Sequence, residues 1–180
     1  MNKTSACGMD SAEGVEGNCS SEAFDTGTII KTVRTLLINS IALDNSEGFT
    51  MALEALEQLR IGLNWSFHSK SAVYGGDGWN TPLTLGARLG RTSMVTTLLQ
   101  KGVDPNFVPY FESKGSTGRT ALHDACKSGR AQVVECLLTH GCNVNVSDTR
   151  GWTPIHHAIC YDKTDIAFKL LENGADPRKS

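Results

Sequence analysis

A stretch in the second half of the chain, TALHDACKSGRAQVVECLLTHGCNVN from Thr120 to Asn145, recurs on both sides of itself. One further copy lies 33 residues downstream, and another lies 39 residues upstream. The three copies agree at so many equivalent positions that chance is a poor explanation. The sequence therefore indicates a repeat array. The positions that define the central copy are Thr120, Leu122, His123, Ala125, Gly129, Val133, Leu137, Leu138, Gly141 and Asn145.

The residues of each copy predict a helix, a tight turn, a second helix and a loop. The Thr and His at the start can satisfy backbone groups that the turn and the helix terminus leave unpaired. A small residue late in the first helix should let a neighbouring backbone come close, and glycines suit the positive φ after each helix. One unit cannot bury its own apolar face, so the copies must stack. These positions are Gly86, Ala125 and Ala158 for the small residue, Gly90, Gly129, Gly102, Gly141 and Gly174 for the turns, and Leu98/Leu99, Leu137/Leu138 and Leu170/Leu171 for the leucines that should point into the stack.

The segments TALHDACKSGR, TPIHHA, LLTHGCNVN and LLENGADP resemble the ankyrin repeat, whose hallmarks are T-P-L-H and a period of 33 residues. The resemblance covers residues 77–180, with clear repeats at 77–106, 118–147 and 150–178. It implies an all-α, L-shaped solenoid of stacked helix-turn-helix units with extended hairpin finger loops. Two positions depart from the pattern. Thr84 replaces the usual His, which should weaken the first turn, and Asp162 replaces the inter-helix Gly, a tolerable change because Asp visits left-handed conformations.

The N-terminal part of the chain divides into two segments by composition. Residues 1–27 carry five acidic residues against one Lys and almost no apolar side chains, which predicts a disordered acidic tail. Helical spacing of apolar residues follows over 28–43 and again over 49–61. Because Gly62 lies 40 residues before Gly102, residues 28–66 are interpreted as a degenerate repeat or an N-terminal cap. An ankyrin-repeat domain is therefore predicted over 28–180.

Composition and charge exclude several classes of function. A net charge of −2 argues against a chain that wraps nucleic acid or lies on an anionic membrane. No run of 18 apolar residues and no apolar stretch after Lys3 is present, so neither a membrane span nor a secretory signal is predicted, and a cytoplasmic or nuclear monomer is expected. The six cysteines lack C-x-x-C pairing and should be free thiols; Cys126 takes the apolar position of Ala87 and Ile159.

Two loops between repeats are six or seven residues longer than the family period allows. These fingers, residues 65–80 and 107–119, hold seven of the chain's twelve aromatic residues, although such loops are usually polar. Either the aromatics pack on one another to hold the fingers in place, or they bind a partner protein. The second alternative makes one edge of the stack a binding surface, with Lys and Arg as solvated rim charges. Its predicted residues are Tyr74, Trp79, Phe107, Tyr110, Phe111, Lys114 and Arg119.

Two clusters of His and Cys are the nearest approach to a catalytic or metal site. His123 stands near Cys126, and the pair His156-His157 stands near Cys160. A nucleophile with its base, or a zinc site, would need a third group and a pocket. The repeat already explains His123 and His156 as turn residues, so only His157 is unexplained. No Walker loop or H-E-x-x-H motif occurs. No enzymatic activity, cofactor or metal is therefore predicted.

The function that these features predict is protein binding through the concave face and the fingers, by shape and side-chain complementarity. The family resemblance gives this class of function only, because fold does not fix function. One alternative is a recruiting or inhibitory subunit of a regulatory complex, such as a ubiquitin-ligase adaptor or a kinase inhibitor. Another is a scaffold fragment, since no polar capping repeat follows the third copy.

Asn145 is a candidate modification site by resemblance alone. Its place eight residues after Leu137 and directly after Val144 is similar to the acceptor pattern of ankyrin Asn residues that the oxygen-sensing asparaginyl hydroxylase modifies. The alternative is an unmodified Asn that stabilises its loop, which Asn143 favours because the acceptor pattern prefers an acid at that position.

Overall fold

The computed structural model describes residues 26–70, 78–108 and 117–179, so residues 1–25 of the predicted 1–27 tail lie outside the described residues. Thr26 and Gly27 begin the first helix, which corrects the end of the predicted tail by two residues. Within these ranges the chain forms four consecutive helix pairs. The first helices of the pairs pack on one another in chain order, and the second helices of the last three pairs form a parallel outer row. The helices are α1 Thr26–Leu43, α2 Ser46–Gln58, α3 Pro82–Leu89, α4 Thr92–Gln100, α5 Ala121–Lys127, α6 Ala131–Thr139, α7 Pro154–Cys160 and α8 Thr164–Glu172. This is the predicted solenoid.

The first finger adds a short antiparallel strand pair to the helical stack. Strand β1, Phe67–Ser69, pairs with β2, Gly78–Asn80, and His68 lies opposite Trp79. The predicted hairpin finger is therefore a two-stranded ribbon at its base. None of the helices among the described residues has the length and apolar character that a membrane crossing requires.

Each inner helix of the last three pairs begins with a reciprocal cap, as predicted. The backbone N of Thr120 donates to Nδ1 of His123 at 3.1 Å, and Thr153 donates to His156 in the same way at 3.2 Å. Thr84, the predicted weak point of the first turn, nevertheless completes the cap. Its hydroxyl accepts from the backbone N of Thr81 at 2.7 Å, and its own N donates to the Thr81 hydroxyl at 2.9 Å, which completes a capping box.

Left-handed residues end the helices at the predicted positions. Gly90 and Gly129 have φ of 79° and 70° after the inner helices. Asp162 adopts φ of 54° at the same position of the last repeat. The prediction that Asp can replace the inter-helix Gly there is therefore confirmed.

The prediction that both leucines of each pair point into the stack is confirmed for Leu98 and Leu99, which are both buried, and is wrong for the last pair. The first of each pair is fully buried, whereas Leu171 is 44% exposed. Ile159 is likewise 60% exposed, although its counterpart Cys126 is buried. Both exposed residues lie on the last helix pair, where no further described repeat packs over them.

The small residue of the inner helix makes room for a side chain and not, as predicted, for a neighbouring backbone. A Cβ added to Gly86 would lie 3.1 Å from Cγ2 of Val95, in the outer helix of the same repeat, and 3.8 Å from Cγ2 of Ile41. The inner and outer helices therefore interlock through this position.

The first helix pair repeats the backbone geometry of the later ones. Asp44 has φ of 59° at the turn between its helices, and Arg60 has φ of 53° after the second helix. The bond that closes this last turn, from Ile61 N to Leu56 O at 2.9 Å, has its counterpart from Val103 N to Leu98 O at 3.1 Å. Arg60, and not Gly62, is thus the structural equivalent of Gly102, which corrects the predicted register by two residues.

The greater length of α2 hides this correspondence in the sequence. Helix α2 has 13 residues, whereas α4 has nine, a difference of about one helical turn. A whole added turn leaves the side chains of α2 on the same faces of the helix, but it lengthens the repeat and so breaks the sequence period. The interpretation of residues 28–66 as a degenerate repeat stays a prediction, and the shared turn geometry supports it.

An asparagine ladder, formed by Asn64, Asn106 and Asn145, joins successive repeats along the loop edge. Each side-chain Oδ1 accepts a hydrogen bond from a backbone N–H of the next repeat. The donor always lies two positions after the left-handed glycine that follows the outer helix of that next repeat. The donors are Asp104 for Asn64 at 3.1 Å, Asn143 for Asn106 at 2.7 Å, and Asp176 for Asn145 at 2.8 Å. These bonds fix the spacing of neighbouring loops.

Candidate partner-binding surface of the finger loops

Three of the seven predicted binding residues belong to the described chain. Trp79, Phe107 and Arg119 are each partly exposed and lie at the bases of the two fingers. The other four, Tyr74, Tyr110, Phe111 and Lys114, lie outside the described residues.

Trp79 is held at the base of the first finger by a cross-strand aromatic pair. Its ring lies 5.1 Å from that of His68 with an interplanar angle of 67°, the edge-on arrangement that aromatic rings prefer. Opposite residues of an antiparallel pair are the closest neighbours across a sheet, so this contact fixes the strand register. The finger therefore begins and ends on a defined platform.

Phe107 begins the second finger directly after a fixed turn. Its backbone N donates to Asp104 O at 3.2 Å, and Asp104 is itself bonded to Asn64 of the asparagine ladder. Phe107 is partly exposed. The start of this finger is thus anchored to the preceding repeat.

Arg119 is an internal anchor, which corrects its prediction as a solvated rim charge. Its side chain is only 18% exposed, and its Nε–H donates to Oγ1 of Thr117 at 3.1 Å. Nε also lies 3.3 Å from Oδ1 of Asp124, whose side chain is 3% exposed, so the two form an ion pair without a hydrogen bond to Oδ1. The other carboxylate oxygen accepts from Nη2 of Arg88 at 2.6 Å. Burying one carboxylate between two guanidinium groups compensates its lost hydration. Sequence spacing missed this cluster because Arg88 and Asp124 lie in different repeats.

The end of the second finger is fixed to the loop of the next repeat. Thr117 O accepts from both the backbone N and the hydroxyl of Thr149, at 3.1 and 3.2 Å. Gly118 follows with φ of 62°, and a Cβ there would lie 2.9 Å from Cγ2 of Thr149. A glycine is therefore required for this close approach. The sequence feature that could have indicated this contact is the position of Gly118 directly before the R-T-A-L-H motif.

The histidine clusters serve the turns of the stack. His123 is fully buried, and its Nε2–H donates to Trp152 O at 3.0 Å while Nδ1 accepts from Thr120 N. Burial, with the nearby His157, lowers the pKa of His123 to about 4. The imidazole is therefore neutral and bridges two repeats.

His157, which the repeat pattern left unexplained, is also fully buried. Its Nε2–H donates to Oδ2 of Asp148 at 3.1 Å, and the other oxygen of Asp148 accepts from the backbone N of Arg150 and Trp152. Burial lowers the pKa of His157, although the Asp148 carboxylate opposes the shift. The pair holds the last loop against α7. Among the described residues, no group of three or more His, Cys, Asp or Glu is arranged to hold a metal ion.

Asn145 uses both ends of its side-chain amide in the ladder. Oδ1 accepts from Asp176 N, and Nδ2–H donates to Gly174 O at 2.9 Å. This is the loop-stabilising role that the sequence offered as an alternative. Hydroxylation of Asn145 stays a prediction.

The capped inner helices, the regular turns and the loops that project along one edge define an α-helical repeat solenoid. Residues 79–108 match the family described as ankyrin repeat, and residues 106–180 match the family described as ankyrin repeats in three copies. The chain belongs to the ankyrin-repeat family. Stacks of this kind present extended surfaces to other proteins, so the chain is a protein-interaction module.

Similar proteins are functionally diverse and mostly much longer. BCL-6 corepressor-like protein 1 of Homo sapiens is 38% identical over 97 residues, which is 54% of this chain and 5% of that protein. Putative ankyrin repeat protein FPV031 of Fowlpox virus (strain NVSL) is 37% identical over 97 residues, 53% of this chain and 27% of the relative. Probable E3 ubiquitin-protein ligase XBOS33 of Oryza sativa subsp. japonica is 42% identical over 82 residues, 45% and 15% of the two lengths. The matched segment is thus a minor part of each relative.

Proposed function

We propose that the chain binds a partner protein through its concave face and its two long fingers, with aromatic side chains of the fingers as the main contacts. The observation that carries this proposal is the fixation of the finger bases. The first finger starts and ends on a paired ribbon, and the second starts at an anchored turn and returns through Thr117 and Arg119. Fixed bases reduce the ordering entropy that a loop loses on binding.

The inner helices leave little surface of their own for recognition. Helix α3 buries six of its eight residues, and α5 buries six of its seven. The outer helix α6 buries only three of nine. With so few exposed residues on these inner helices, the fingers would supply most of the variable contacts.

The chemistry of the fingers suits an interface with a few strong contacts. Truncation of aromatic anchors at interfaces often costs about 2 kcal/mol or more each. Trp79 and Phe107 are already partly exposed, and Tyr74, Tyr110 and Phe111 add three more aromatic side chains in the same loops. Lys114 would act as a rim charge that affects the association rate more than the affinity. Because Arg119 is paired with Asp124, we propose that it stabilises the base of the second finger and does not contact the partner.

A recruiting or inhibitory subunit, such as a ubiquitin-ligase adaptor or a kinase inhibitor, is the second candidate. The names of two relatives, a corepressor-like protein and a probable E3 ubiquitin-protein ligase, favour it. This second candidate function uses the same surface as the first, and the two differ only in the identity of the partner protein. For either function we place the chain in the cytoplasm or nucleus, where the free thiols of Cys126, Cys136, Cys142 and Cys160 would remain reduced.

Affinity capture followed by mass spectrometry tests the proposal when it compares matched variants. The double variant Tyr110→Ala with Phe111→Ala should lose the captured protein while its unfolding transition is unchanged. The control is Phe168→Ala, which removes a 66% exposed aromatic from the outer helix α8. Capture should survive in the control.

Two outcomes would contradict the finger site. Unchanged capture by the double variant would move the site to the helical face. Loss of folding in the double variant would show that the aromatics are internal packing. Components of a ubiquitin ligase, or a kinase, among the proteins lost with the double variant would identify the second candidate.

A further inference from the structure

A groove of 270 Å³ runs between the first half of α1 and the segment that leads into β1. Its lining includes the apolar side chains of Ile30 and Phe67 and the basic side chains of Lys31 and Arg34. Gly27, the second described residue of the chain, also lines the groove. The groove is separate from the Arg88, Asp124 and Arg119 cluster.

Two buried hydrogen-bond donors in this groove have no partner. They are Nε of Arg34 and Nε1 of Trp65. The Arg34 guanidinium lies over the Trp65 ring, 5.0 Å from its centroid, so the two donors belong to one site. A buried polar group without a hydrogen-bond partner destabilises the fold, and such groups in native proteins call for an explanation. Since both atoms can only donate, the missing partner must be an acceptor.

We propose that the groove binds carboxylates of the chain's own N-terminal acidic segment, residues 1–25. This segment contains Asp10, Glu13, Glu16, Glu22 and Asp25 against the single basic side chain of Lys3. A carboxylate satisfies a guanidinium through two parallel bonds, one of them to Nε, and Lys31 adds a second positive charge. Docking of one or two carboxylates requires no regular structure in the segment.

The reach of the segment selects which acids can enter the groove. Arg34 lies eight residues into α1 from Thr26, which is about 12 Å along a helix that rises 1.5 Å per residue. An extended chain that turns back along α1 covers this distance in about four residues. Glu22 is therefore at the limit, Glu16 has slack for the turn, and Asp25 is too close to the helix to reach Arg34.

The test reads the indole N–H resonance of Trp65 in the nitrogen-15-labelled full-length chain, assigned with Trp65→Phe. Glu16→Gln with Glu22→Gln should move this resonance and leave that of Trp152 in place. The matched control, Asp25→Asn with Glu54→Gln, removes the same charge and should move neither resonance. A synthetic peptide of residues 1–25, added to the Glu16 and Glu22 variant, should return the Trp65 resonance towards its original position.

A second variant tests the role of Arg34. Arg34→Lys keeps the charge but removes the Nε donor, so adding the Glu16 and Glu22 substitutions to it should produce no further shift. Identical Trp65 resonances in the original chain and the Glu16 and Glu22 variant would overturn the proposal. An equal shift in the control would also overturn it, because net charge alone would then explain the effect. The readout involves no partner protein, so it stands or fails independently of the finger site.

Discussion

Acidification should destabilise the fold mainly through His123. Its pKa is lowered from the ordinary 6.5 to about 4 in the folded chain, first by burial. A histidine with a lowered folded pKa prefers to be neutral in the native state, whereas the unfolded chain takes up the proton at its ordinary pKa. The stability contribution is therefore complete above the unfolded pKa and is lost as the pH falls from 6.5 towards 4.

The size of the effect follows from the two pKa values. Between about pH 7.5 and about pH 5, linkage predicts a loss of about 2 kcal/mol in the free energy of unfolding from this one group. His157 contributes in the same direction, because burial lowers its pKa as well. The pKa of Asp148 is also lowered; burial alone would raise it, and hydrogen bonds from Trp152 and Arg150 reverse the sign. Its contribution is lost only at lower pH.

The first repeat supplies the substitution that isolates His123. Thr84 occupies the same position and forms the same cap with Thr81 at 2.7 Å. His123→Thr should keep the cap and lose the bond to Trp152 O, at a cost of about 1–2 kcal/mol near neutral pH. The variant cannot take up the proton. It should therefore lose about 2 kcal/mol less on acidification and approach or exceed the stability of the original chain at about pH 5.

Urea unfolding followed by far-UV circular dichroism at the two pH values measures both free energies. His157→Gln provides the comparison for the second buried histidine, and it should leave the His123 part of the dependence in place. If His123→Thr loses as much stability on acidification as the original chain, His123 is not the group that titrates, and the reasoning from its burial fails.

Four further outcomes follow from the structure. Arg119→Ala should cost about 2 kcal/mol in urea unfolding, because it removes one of the two guanidinium groups from the buried Asp124; an unchanged midpoint would restore Arg119 as a rim charge. Asp162→Gly should raise the free energy of unfolding by about 0.5–1 kcal/mol, since glycine adopts φ of 54° without steric cost; lower stability would show that the Asp side chain has its own role. Asn145→Ala should cost about 1–2 kcal/mol and speed amide exchange at Asp176, its ladder partner; unchanged exchange would mean that the bond does not persist in solution. Hydroxylation of Asn145 by the asparaginyl hydroxylase predicts a gain of one oxygen in the peptide mass, and its absence would leave only the loop-stabilising role.

Features set by the backbone of a single repeat could be predicted from the sequence. The left-handed positions at Gly90 and Gly129 require a residue that tolerates positive φ, and few residue types do. The cap between Thr120 and His123 joins residues three apart, so it depends on local spacing alone. The same reasoning failed at Arg60, because the template looks for a glycine and found Gly62 two residues later.

Features that join different repeats could not be predicted in this way. Arg88 and Asp124 are 36 residues apart, and nothing in either segment alone indicates that they meet. The unpaired donors of Arg34 and Trp65 meet only after the first finger folds back on α1. For the candidate site, sequence composition identified the finger loops, but the distinction between anchors such as Arg119 and exposed aromatics depends on three-dimensional burial.

The position of the added residues links the repeat geometry to the proposed binding site. From the ladder Asn to the next capping Thr there are 8 positions after Asn145, 14 after Asn106 and 17 after Asn64. The second finger is thus longer by the predicted six residues, and the first by nine. Each insertion lies between a ladder asparagine on its N-terminal side and the capping Thr of the next inner helix on its C-terminal side. Lengthening a loop between fixed ends costs little, about 0.6 kcal/mol per doubling. The fingers can therefore change in length and sequence without disturbing the stack, which is the freedom that a partner-binding loop requires.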